Sequence, residues 1–81
     1  MTPDAFRVIE AVAWSERLGS GTVLPLKRIA ADALGGNCDL AARVLATLDD
    51  EGCVHTDTMG WQTGWLTAKG RTAAALHGTL S

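Results

Sequence analysis

With 81 residues and 8.5 kDa, the chain has room for one hydrophobic core and is too short for a large cofactor fold. Hydrophobic residues at 47%, charged residues at 20% and a mean hydropathy of +0.12 favour a packed globule over a disordered segment. Seven Lys/Arg against nine Asp/Glu give a net charge of -2 and a pI near 5.5, without the basic excess usual in nucleic-acid binders. No run approaches the ~18 to 20 apolar residues of a membrane span. Asp4, Arg7 and Glu10 interrupt any secretory h-region, so a cytoplasmic protein without a membrane partner is expected. Cys38 and Cys53 fit neither a C-x-x-C redox pair nor a zinc knuckle, and reduced thiols are expected.

Thr2 followed by Pro3 reads as an N-cap with proline at the first helical position, and Asp4 adds a carboxylate where the helix dipole favours one. Phe6, Ile9, Val12 and Ala13 then recur at helical spacing, with Val8 and Trp14 widening the apolar surface, until Gly19-Ser20-Gly21 stops the helix after Leu18. Thr22-Val23-Leu24 is a short β-branched run closed by Pro25, which predicts a brief or edge strand. In the next helix Leu26, Ile29, Ala30, Ala33 and Leu34 share one face, opposite Lys27, Arg28, Ala31 and Asp32.

Gly35-Gly36 offers positive-φ residues for that helix's end, and Asn37 is an N-cap for the helix that follows. The third helix places Leu40, Ala41, Val44, Leu45 and Leu48 inward and Asp39, Ala42, Arg43, Ala46, Thr47 and Asp50 outward, ending at Gly52. Residues 53–58 and 62–66, around Met59-Gly60-Trp61, predict a two-stranded hairpin. Thr67 caps a last helix whose Ala73, Leu76, His77 and Leu80 share a face. Two amphipathic helices joined by so short a turn cannot bury both stripes alone, so the outer helices close the core. The order α-β-α-α-β-β-α, mainly α with a small β-hairpin, is a winged helix-turn-helix layout over a single domain, residues 1–81.

Several segments now match a known pattern in order and spacing. They are Leu26-Lys27-Arg28-Ile29-Ala30 with Leu34-Gly35, then Val44-Leu45 with Leu48-Asp49-Asp50-Glu51-Gly52-Cys53-Val54, and Trp65-Leu66-Thr67-Ala68-Lys69-Gly70-Arg71. On these segments the chain resembles the winged helix-turn-helix domains of bacterial MarR-like and PadR-like transcription regulators. Two features depart from the family: one helix flanks the core on each side, and the wing bears His55, Asp57, Gln62 and two tryptophans instead of Arg or Lys near its tip.

The resemblance implies double-stranded DNA as partner, a homodimer, and the helix over residues 38–51 in the major groove. Arg43 would then hydrogen-bond guanine O6 and N7, with Asn37, Asp39, Ala42, Ala46 and Thr47 beside it. Lys27 and Arg28, joined by Lys69 and Arg71, would meet phosphates. The plainer alternative has Arg43 pairing with Asp39 or Thr47 on a solvated face. A rival function is a protein-binding winged helix, an adapter or inhibitor of phage or plasmid origin, using Trp61, Trp14 and Val8. Trp65 is expected against the core, and Cys53 within it. Cys38, Cys53, His55 and His77 are too dispersed for a zinc site. No nucleophile with a base, phosphate loop or paired buried carboxylates is present, so neither enzymatic activity nor a cofactor is expected.

Overall fold

The computed structural model describes residues 2–18, 23–57 and 62–80, with the backbone alone for residues 77–80. Among these residues the chain forms four helices and a two-stranded antiparallel hairpin. In order they are α1 (Pro3–Arg17), α2 (Leu26–Ala33), α3 (Cys38–Asp50), β1 (Val54–Thr56), β2 (Gly64–Leu66) and α4 (Ala68–Leu80). The glycine stop at residues 19–21, Thr22, the Met59-Gly60-Trp61 turn and the side chains of His77 and Leu80 lie outside the described residues.

Helix α1 starts where its capping residues direct: the Thr2 hydroxyl accepts from the Ala5 amide at 3.2 Å, and Pro3 occupies the first helical position. Ala5, Val8, Ile9 and Val12 are buried, with Phe6 and Ala13 packed at the core's edge. The expectation that Val8 belongs to an outer patch with Trp14 is corrected. At about 100° per residue Val8 turns to the same side as Ala5 and Val12, and it is 0% exposed, whereas Trp14 faces away at 60%.

The run before Pro25 contracts to a single bridge. Leu24 and Gly64 exchange both backbone hydrogen bonds, at 2.8 and 3.0 Å, while Val23 is exposed. Helix α2 buries Leu26, Ala30 and Ala31. Ala31, on the polar side by helical spacing, is buried instead, because α2 packs against both α1 and α3 and its covered face is wider than one stripe. The helix then closes in a Schellman arrangement, in which the Gly36 amide bonds to the Ala31 carbonyl at 2.7 Å and Gly35 to Asp32 at 3.4 Å. Both glycines carry positive φ, 72° and 87°.

Asn37 Oδ1 accepts from the Leu40 amide at 3.1 Å and opens α3, whose Ala41, Val44, Leu45 and Leu48 are buried as the spacing predicts. Val54 pairs with Leu66, His55 with Trp65 and Thr56 with Gly64. Strand alternation therefore sends Val54, Gly64 and Leu66 inward and Trp65 outward, which corrects its expected place in the core. Trp65 is half-buried against His55, ring centroids 4.8 Å apart and tilted by 37°. Thr67 caps α4, accepting from the Gly70 amide at 3.2 Å and donating to the Gly52 carbonyl. Ala73 and Ala74 pack on the core, but Leu76, expected to share a face with Ala73, is 61% exposed.

Candidate nucleic-acid interface

The short turn over residues 34–37 joins α2 to α3, and both helices bury their apolar stripes in a core shared with α1 and the hairpin. Burying Leu45 and Leu48 on one side of α3 leaves the opposite side to solvent. Asp39, Arg43, Ala46 and Thr47 are exposed there, and Ala42 is half-buried. The Thr47 hydroxyl donates to the Arg43 carbonyl at 3.1 Å, and among the described residues no ion pair joins the Arg43 guanidinium to Asp39. Arg43 thus projects from a helix face whose flanking side chains are small, which lets a flat or grooved partner approach the backbone closely.

A groove of about 590 Å³ adjoins this face, lined by Lys27, Arg28, Gly36, Cys38 and Gln62 among others. It brings the start of α2, the start of α3 and the hairpin's second limb to one place. Lys27 and Arg28 stand at the second and third positions of α2, after Pro25, which supplies no side-chain cap. A helix N-terminus already carries about half a positive charge, so cations there work against the dipole and cost about 0.3–1 kcal/mol each. No acidic residue in that first turn offsets them. Local stability therefore does not explain these two residues, whereas an anion bridging them would be favoured by both side chains and the dipole. Asp32 in the same groove opposes that field.

The other two expected cations are committed elsewhere. Lys69 Nζ donates to the Glu51 carbonyl at 2.6 Å, tying α4 to the end of α3. Arg71 forms a two-point contact with Glu16, Nε to Oε1 at 2.7 Å and Nη2 to Oε2 at 3.4 Å, joining α4 to α1. Neither partner was visible to local pattern, because the contacts span 18 and 55 residues. Pattern reading also missed the groove, which only the packing of α2 beside Gln62 creates; the one local signal was a pair of cations at a helix start.

Cys38 is exposed at the start of α3, and Cys53 is buried beneath the hairpin, where burial raises its thiol above the usual value. The Lys69 charge opposes that rise and the Glu51 charge adds to it. Among the described residues no group of three His, Cys, Asp or Glu side chains is arranged to hold a metal ion, and no helix is long and apolar enough to cross a membrane. Comparison with protein-family models, curated proteins and solved structures finds no match for this chain.

Proposed function

We propose that the chain is a winged helix-turn-helix protein that binds double-stranded DNA as a transcription regulator similar to the MarR-like and PadR-like kind. In this reading α3 enters the major groove, Arg43 contacts base edges, and Lys27 and Arg28 hold phosphates. The observation that carries it is the outward face of α3, held exposed beside two cations at the start of α2 that weaken their own helix. Phosphate contacts there fix the register of α3, and Arg43 then supplies sequence preference.

A second reading is a winged-helix module that binds protein. The net charge of -2 and the exposed Trp14 favour it. Val8 drops out of that surface because it is fully buried, and Trp61 lies outside the described residues.

Selection from a randomised duplex pool separates the two. The DNA reading expects the wild type to enrich a defined motif and Arg43→Ala to lose about 1–3 kcal/mol of discrimination at one or two base pairs. An unchanged motif removes Arg43 from the interface, and a pool that neither protein enriches supports the protein-binding reading.

A further inference from the structure

Helices α1 and α4 pack against each other, and an open groove of about 1080 Å³ runs between them. It shares no lining residue with the groove beside Lys27 and Arg28. Small side chains line it, Ala11 and Ala13 from α1 and Ala74 and Ala75 from α4, which leaves space for a bulky side chain from outside. Trp14 stands beside them, 60% exposed, although Ala5, Val8, Ile9 and Val12 already cover the core side of α1. The charges of this groove are unequally committed. Glu16 is held by Arg71, and Glu10 also has a partner within the structure. Arg7 and Arg17 are exposed, and among the described residues no hydrogen bond or ion pair engages either guanidinium.

We propose that this groove docks an acidic amphipathic helix of another protein, its apolar anchor seated against Trp14 and its carboxylates on Arg7 and Arg17. The charges select that occupant. Arg7 and Arg17 are ten residues apart, a rise of about 15 Å, and at about 100° per residue Trp14 falls between them both along the helix axis and around it. An apolar contact flanked on each side by a free guanidinium fits a partner with carboxylates on either side of a Leu, Phe or Met. A neutral partner would cover both guanidiniums and return no pairing, and a basic one would meet repulsion. The trough between two packed helices accepts a third helix ridge against groove, and the alanines of α1 and α4 allow its backbone to come close. The acids of the groove do not compete for these arginines, because each already has its own partner inside the fold. The interface is that of one helix face, so the complex is weak and exchanges readily.

This docking does not rest on the DNA reading and is tested without DNA, so the two fail separately. Helical peptides of about 18 residues, long enough to span both arginines, are displayed on phage with their outward positions randomised and selected against the full chain. Enriched peptides are expected to carry Asp or Glu about ten residues apart with Leu, Phe or Met between them, and to bind with a Kd of about 1–100 micromolar. Trp14→Ala should weaken the selected peptide at least about tenfold, and Arg7→Glu combined with Arg17→Glu should do the same. That double variant should instead bind the same peptide with lysine in place of its acidic residues, a gain that damaged folding does not produce. A selection without enrichment overturns the proposal, as do enriched peptides that lack the paired acids or that Trp14→Ala leaves unaffected. Self-association in sedimentation equilibrium, or binding to phosphatidylserine vesicles, that Trp14→Ala abolishes would assign the groove to a second copy or to a membrane surface and overturn it equally.

Discussion

Cys38 and Cys53 have one chemistry and opposite surroundings, so they test the placement of single residues. Cys38 is exposed and Cys53 is 1% exposed, so a thiol reagent such as Ellman's should modify one equivalent rapidly and the second only on unfolding. Two fast thiols contradict the buried position. Burial also raises the Cys53 thiol in the folded state, so the fold binds this proton more tightly than the unfolded chain does. Its contribution to stability is complete below the ordinary thiol range and is lost as pH rises through the raised folded value. Stability measured by urea denaturation should therefore decline on the alkaline side, with a shallower decline in Cys53→Ala. Gly64, like Gly70, is a backbone position with no room for a side chain. It lies between Leu24 and Thr56, and a Cβ there would collide with the His55 carbonyl oxygen and press on the Leu26 side chain. Gly64→Ala should cost about 2–3 kcal/mol and lower the melting temperature by roughly 10 °C; an unchanged melting temperature would show that the hairpin does not pack this closely.

At the scale of elements, α2 sets stability against binding. Lys27→Glu places a carboxylate where the α2 dipole favours one, so the variant should be more stable by about 0.3–1 kcal/mol while losing affinity for duplex DNA. Thermal melting and fluorescence anisotropy on one preparation read both effects, and a variant that gains stability with DNA affinity intact places Lys27 outside the interface. The starts of α1, α3 and α4 were legible because the 3.6-residue period and the Thr2, Asn37 and Thr67 caps act within one or two turns. Elements whose form depends on distant partners were not. The strand before Pro25 reduces to the Leu24 bridge because β2 offers it a single residue, Gly64. Trp65 reads as a core residue from its apolar neighbours, yet the register opposite His55 decides which way it points. Ala31 reads as surface until α2 is known to be covered on two sides.

Across the whole molecule, charge is distributed unevenly in a way that the net value of -2 conceals. Arg71 is spent on Glu16 and Lys69 on the end of α3, which binds α4 to the rest of the fold. Lys27, Arg28 and Arg43 remain on the side formed by α2 and α3, while Arg7 and Arg17 lie on the outer face of α1. The candidate interface was thus half legible. Arg43 and the two cations of α2 follow from helical spacing, whereas the removal of Lys69 and Arg71 from it depends on contacts that only folding creates. Against so small a cationic set, binding to DNA depends on a few phosphate contacts, each of which releases counterions. Titrating the protein into a fluorescent mixed-sequence duplex at about 50 and 200 mM salt measures that release directly. The two contacts assigned to Lys27 and Arg28 predict a loss of at least about tenfold in affinity over that interval. An affinity that does not change with salt, or no binding at the lower concentration, would contradict the account.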